Sequence, residues 1–327
     1  MNTKIYFITL ILAFFTTLIA TKKLIPVLAK KKIGQSILEI GPSWHKDKKG
    51  TPTMGGIGFV LATILCFVAV VSIFDVEKWE IHMLINVLTY ALLNACVGAI
   101  DDIAKIRKRK NEGLTPRGKL IFQSAASIIF LIMMNKTVGL STTLVFPFSD
   151  FQLNLGIFYY VFAFLLLCGM TNAVNLTDGI DGLASTCVLT VGVLFSVVAI
   201  TKIESLTLGF FGAVLIGTAF AFLIFNLHPA KIFMGDTGSL FYGAIIVGCA
   251  FVFNSSLLVL LYGFSFLCEA ISVILQVAYF KLTKGKRLFK MAPLHHHLEK
   301  CGHSEMGIVT IFGILSTVFC AVAYLGV

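Results

Sequence analysis

Charge is scarce in this 327-residue chain: 13% of its residues are charged, and only 16 are acidic. A soluble domain carries about 25% charged residues, so the shortage excludes an ordinary soluble enzyme. With 57% of residues hydrophobic, it also excludes a disordered chain. Tryptophan and proline are sparse, at two and seven residues. The eight cysteines lie mostly inside apolar runs and form no CxxC pair, which excludes a zinc ribbon or a disulfide framework. They read as small buried hydrophobes. The chain also lacks the period-two alternation of an outer-membrane barrel, any internal repeat, any low-complexity tract and any soluble domain.

What it has instead is a series of apolar runs of about 20 residues, the length that crosses a bilayer. They predict one all-α, polytopic transmembrane domain over 1–327. About ten helices are expected, near 5–21, 56–74, 82–100, 120–135, 155–172, 183–201, 206–225, 239–254, 257–280 and 307–326. The eighth and ninth form one apolar block, and Asn254-Ser255-Ser256 predicts a tight turn between them. The first run has no small-residue cleavage site and is followed by Lys22 and Lys23, so it reads as a retained span.

The cations are unevenly distributed. Segments 22–55, 101–119, 173–182, 226–238 and 281–306 together hold 22 of the 26 Lys and Arg residues. Lys and Arg collect on the cytoplasmic side of a bilayer, so these five segments are expected there, with both termini outside. The net charge of +10 is thereby explained by topology and calls for no nucleic-acid partner. Nearly all the unusual polar residues lie in the same five segments. They predict a cleft at the cytoplasmic surface of the membrane.

Five strings carry chemistry. Asp101-Asp102, with Lys105 following, ends the third apolar run. Carboxylates near a bilayer need water, a cation or a partner, so the pair reads either as interfacial acids neutralised by the RKRK stretch or as a phosphate–metal site. The second string, Asn172-Ala-Val-Asn175-Leu-Thr177-Asp178-Gly-Ile-Asp181-Gly, packs two amides, a hydroxyl and two carboxylates around glycines. A helix cap needs only one such side chain. In the third, Asn226-Leu-His228-Pro-Ala-Lys231-Ile-Phe-Met-Gly235-Asp236, Asp236 stands between glycines at the start of a helix. A hard oxygen there suits Mg²⁺ shared with a diphosphate. His295, His296 and His297 are consecutive. Neighbours on a helix point about 100° apart, so hydrogen bonding to an anionic or sugar-bearing ligand is expected rather than one shared metal. Lys46, Lys48 and Lys49 precede Gly50-Thr51-Pro52-Thr53 at a helix entrance. That pattern handles phosphate without being a Walker A loop. Glu269, inside the ninth run, reads equally as a proton relay or a helix–helix hydrogen bond.

Taken together, KKGTPTMGGIGF, DDIAKIRKRKNEGLTPRGKL, NAVNLTDGIDGLA, NLHPAKIFMGDTGSL and APLHHHLEKCG resemble the phospho-N-acetylmuramoyl-pentapeptide transferases. These belong to the polyprenyl-phosphate N-acetylhexosamine-1-phosphate transferase superfamily. The triple histidine points to the muramoyl branch over the N-acetylglucosamine branch. The resemblance implies transfer of phospho-N-acetylmuramoyl-pentapeptide from a UDP carrier to undecaprenyl phosphate, giving lipid I and UMP. It further implies Mg²⁺ and a multi-pass protein, often a homodimer, in the bacterial cytoplasmic membrane, acting in peptidoglycan synthesis. It implies catalytic roles for Asp101, Asp102 and Asp236, with metal contacts from Asp236 and Asp178. Lys48, Thr53, Lys105, Arg117, Lys119, Asn172, Asn175, Asp178, Asn226, Gly235, His295, His296 and His297 would serve substrate binding.

Two other classes make different demands. A transporter places its acids near mid-membrane in broken helices, usually with inverted repeats. An aromatic prenyltransferase needs two Asp-rich motifs, and this chain has one adjacent pair.

Overall fold

The computed structural model describes residues 2–30, 48, 50–108, 113–253 and 255–327. Lys46, Lys49, Arg109, Lys110 and Asn254, singled out above, lie outside the described residues. The helices are α1 (Asn2–Lys30), α2 (Gly56–Ile73), α3 (Lys78–Lys108), α4 (Pro116–Thr137), α5 (Phe158–Thr177), α6 (Leu183–Thr201), α7 (Leu206–Asn226), α8 (Gly235–Gly248), α9 (Val259–Tyr262), α10 (Phe264–Leu282), α11 (Leu294–Lys300) and α12 (Glu305–Leu325). Among the described residues, nine of these are long and apolar enough to cross a membrane, and α8 is a shorter apolar helix. The protein is an all-α, multi-pass membrane protein.

α7 and α8 form the centre. α7 is buried along most of its length between α1 and α6, and α8 is enclosed by α3, α5 and α2. Phe59 of α2 stacks on Tyr242 of α8 with ring centroids 4.2 Å apart. One turn away the backbones meet: a Cβ on Gly56 would lie 2.4 Å from Gly238 Cα. In lipid, helices gain nothing from burying apolar faces against one another, so small residues that allow close backbone approach carry the packing. The outward faces, such as Phe7, Phe15, Ile121, Leu165 and Ile274, are apolar and exposed, as lipid requires.

Three differences from expectation have physical causes. α3 runs on to Lys108, so Asp101 and Asp102 lie within a helix rather than after one. α8 begins at Gly235 and gives way at Cys249–Phe251 to a tighter turn, a few residues before the expected break. A small hairpin, β1 (Thr143–Val145) with β2 (Gln152–Asn154), joins α4 to α5. Strands of three residues are too short to leave a period-two signature.

The ends of the bundle are distinct. Tyr6 of α1 donates to the Ser205 carbonyl, and Glu80 accepts from the Leu206 and Thr207 amides at 2.8 Å. Gly326 lies beside Pro147 and Phe148 of the hairpin. Both chain termini therefore sit at the end opposite Asp101, Asp178 and Asp236, as the charge distribution predicted.

Candidate active site

Adjacent residues on a helix diverge by about 100°, and this separates the two carboxylates at the end of α3. Asp102 turns toward α8: Oδ1 accepts the Asp236 amide at 3.1 Å, and Oδ2 accepts the Thr237 amide at 2.9 Å and hydroxyl at 2.7 Å. A helix leaves its first amides without intrahelical partners, and here a carboxylate from a different helix supplies them. Gly235 makes the turn possible: its φ is +70°, and a Cβ there would stand 2.6 Å from Asp102 Oδ2 and 3.0 Å from Thr53 Oγ1. Gly98, one turn before Asp102, lets α3 approach equally closely, since its Cβ would fall 2.2 Å from the Asp236 carbonyl.

Asp101 faces the loop before α4. Oδ1 accepts the Leu114 amide at 2.7 Å, and Oδ2 pairs with Lys105 Nζ at 2.6 Å. Asp236 takes Lys119 Nζ at 2.6 Å and Lys105 Nζ at 3.1 Å on Oδ2, and Asn175 Nδ2 at 3.2 Å on Oδ1. Asn175 binds Ser239 as well at 2.7 Å, and its Oδ1 accepts from Lys119 at 3.1 Å. Three helices, α3, α4 and α5, thus send side chains to Asp236 at the start of α8.

One carboxylate oxygen from each of Asp101, Asp102 and Asp236 lies within 4.8 Å of the others. Three hard oxygen donors at such separation suit Mg²⁺. The donor set therefore fits a divalent cation, with Lys105 and Lys119 holding the acids together. Asp178 is not in that group of three. It ends α5, half-buried, where desolvation above all, then the charges of Asp236, Asp102 and Asp181, push its carboxyl well above the usual carboxylate range.

A second cluster stands beside the first. Lys48 Nζ lies 2.8 Å from Asp181 and 2.7 Å from Glu305, and His228 Nδ1 is 3.1 Å from Asp181. Asp181 also accepts the Ala230 amide at 3.0 Å. Lys48 thus belongs to this group rather than to the one around Asp236. Asp181 and His228 were visible in the strings above as polar residues beside glycine and proline. Glu305 gave no signal beyond a helix start.

The remaining expected residues separate into those facing the cleft and those building it. Thr53 adjoins Gly235. Asn172 pairs with Gln123 at 2.9 Å, one turn below Asn175. Asn226 is 2% exposed, and its amide is fully used: Oδ1 accepts from Gly182 and Ser185, and Nδ2 donates to Ile232. It ties α6 to the loop before α8 and forms part of the wall. Arg117 is exposed on the first turn of α4, outside both clusters. The three histidines diverge as consecutive helical residues must. His295 meets Glu269, His296 meets Glu299 at 2.6 Å, and His297 accepts the Lys290 amide at 3.1 Å.

Acids, amides and lysines gather at one end of a helical membrane bundle around an acidic cluster that could hold a metal ion, an arrangement suited to a membrane-embedded transferase acting on phosphorylated substrates. Residues 83–254 match glycosyl transferase family 4. A protein of Clostridium kluyveri is 42% identical over 318 residues, covering 97% of this chain and 98% of its own length. Proteins of Clostridium perfringens and Listeria monocytogenes are 40% and 41% identical, each spanning more than 90% of both chains. All three are phospho-N-acetylmuramoyl-pentapeptide-transferases. The chain belongs to that family.

Proposed function

We propose that the chain transfers phospho-N-acetylmuramoyl-pentapeptide from its UDP carrier to undecaprenyl phosphate, releasing UMP and forming lipid I for peptidoglycan. The whole chain acts as one transferase domain, on the cytoplasmic face of the bacterial inner membrane and as a homodimer. The observation carrying this reading is the convergence of Asp101, Asp102 and Asp236 within 4.8 Å at one end of the bundle. One substrate is a lipid and the other a charged nucleotide, so the reaction must occur where membrane and water meet.

The products define the bond changes. An oxygen of the lipid phosphate attacks the phosphorus that bears the sugar, and the bridge to the uridine-side phosphate breaks, leaving UMP. Such a transfer needs alignment and charge neutralisation more than covalent help. Asp236, with Asp101 and Asp102, would hold Mg²⁺, which would supply charge neutralisation at the diphosphate. Asp102 braces the α8 amides and so aims Asp236, while Oδ1, which accepts a single hydrogen bond, keeps a lone pair for the cation. Asp101, paired with Leu114 and Lys105 and adjoining Asp236, orients the incoming lipid phosphate. A phosphate near neutral pH scarcely needs a base. Lys105 and Lys119 can turn from Asp236 to phosphate oxygens as substrate enters, and Asn175 holds Asp236 in register meanwhile.

The test is UMP release by the purified protein in lipid. Release from UDP-N-acetylmuramoyl-pentapeptide should require both Mg²⁺ and undecaprenyl phosphate, and UDP-N-acetylglucosamine should give little. Equal turnover of both sugars would move the chain to the N-acetylglucosamine branch, and release without the lipid phosphate would contradict the transfer.

A further inference from the structure

Glu269 lies in the middle of α10, fully buried, where a carboxylate is costly without partners. Its partner is His295, the first of the three histidines. The His295 amide reaches Oε1 at 3.2 Å and Oε2 at 3.3 Å, and ring Nδ1 lies 3.0 Å from Oε2. Both carboxylate oxygens accept from the backbone amide, and a donating Nδ1 would complete the set. The ring's far nitrogen, Nε2, is buried and has no hydrogen-bond partner among the described residues. It points at Gly179, where a Cβ would lie only 2.1 Å away. Gly179 stands between Asp178, beside the acid cluster, and Asp181, at the heart of the second one.

We propose that Glu269 is the positioning residue for His295: it locks the proton on Nδ1 and the ring against Gly179, so that Nε2 is an oriented acceptor at the loop carrying Asp178 and Asp181. Which nitrogen of an imidazole is protonated is set by what the other nitrogen's neighbour demands, and a carboxylate behind a histidine fixes both tautomer and ring direction. The same contact anchors α11 to α10 and thereby sets where His296 and His297 stand.

The substitution Glu269→Gln separates this role from simple packing. Glutamine has the same shape, but one of its two terminal atoms is an NH₂ group. If its oxygen accepts the His295 amide, the NH₂ faces Nδ1 and forces the proton to Nε2. The inference predicts that ¹⁵N-histidine NMR, with the His295 signal assigned by its loss in His295→Gln, finds Nδ1 protonated in the unmodified protein and unprotonated in E269Q. It also predicts that E269Q loses at least about tenfold in kcat/KM for the UDP substrate, with thermal stability largely retained. Gly179→Ala displaces the ring from the opposite side and should give the same kinetic defect with Glu269 intact. An unprotonated Nδ1 in the unmodified protein overturns the proposal, as does an E269Q protein with unchanged ring signals and kcat/KM within twofold. The kinetic arm rests on the transferase reading, but the NMR arm does not. Absence of UMP release from the unmodified protein, with the predicted ring signals, would remove that reading and leave the positioning role standing.

Discussion

Asp102 caps the helix that Asp236 begins: its carboxylate accepts the Asp236 amide at 3.1 Å and both donors of Thr237. The orientation of the central acid is thus fixed by its neighbour through the backbone. The pair Asp101-Asp102 divides its labour accordingly, one residue holding α8 and the other facing the cleft.

The two acids should therefore fail differently. Asp102→Asn removes an acceptor oxygen and points an NH₂ group at the α8 amides, leaving buried donors unpaired at a cost of about 1–3 kcal/mol. It should lower both thermal stability and UMP release. Asp101→Asn keeps an oxygen for Leu114 but loses the charge that faces Lys105 and the cation, so activity should fall by more than about tenfold with little change in stability. Unfolding midpoints in detergent, measured beside turnover, check the contrast.

Lys119 competes with any cation for Asp236 Oδ2, from which it lies 2.6 Å. Lys119→Ala should lower the Mg²⁺ concentration giving half-maximal activity while reducing kcat by about 10- to 100-fold, because the ammonium no longer meets phosphate oxygens in the transition state. A Mg²⁺ titration of the variant reads both effects. A higher Mg²⁺ requirement would count against the competition.

Gly235 combines a φ of +70° with a Cβ position 2.6 Å from Asp102 Oδ2. Gly235→Ala meets both obstacles, and the left-handed backbone alone costs an L-residue about 1–2 kcal/mol. Displacing Asp102 should also uncouple α8 from α3. The expected outcome is a lower unfolding midpoint and a loss of activity approaching that of Asp236→Ala, seen in the same two measurements.

We propose a single displacement, in which the lipid phosphate attacks directly while Asp102 and Asp236 stay held by the protein donors around them. A single displacement inverts the configuration at the transferred phosphorus. Chirally labelled phosphate at that position should give an inverted product, whereas retention would require an aspartyl-phosphate intermediate and a two-step route.

Much of this was legible in the chain. Apolar length gave the spans, and the bias of Lys and Arg gave the end at which the site lies. The strings around Asp101, Asn175 and Asp236 named the residues that do converge. The rest depends on distances that no string encodes. Asn226 reads as a cleft residue, but only the fold reveals that Gly182, Ser185 and Ile232 occupy its amide. Glu305 opens α12 far from the quoted motifs and meets Lys48 only through folding. The ambiguity at Glu269 resolves toward a hydrogen bond, because His295 is brought to it by the loop between α10 and α11. Helix ends shifted because propensity and tertiary caps, such as Asp102 on α8, extend or stop a helix independently of where the apolar run ends.

The central claim is that Asp101, Asp102 and Asp236 share one divalent cation used for transfer. Mn²⁺, as a paramagnetic stand-in for Mg²⁺, can be titrated into the purified protein and its bound fraction counted by EPR. One tight site per chain, displaced by Mg²⁺ and abolished together with UMP release in Asp236→Ala, is the predicted result. Undiminished Mn²⁺ binding in that variant, or near-normal turnover, would contradict the account.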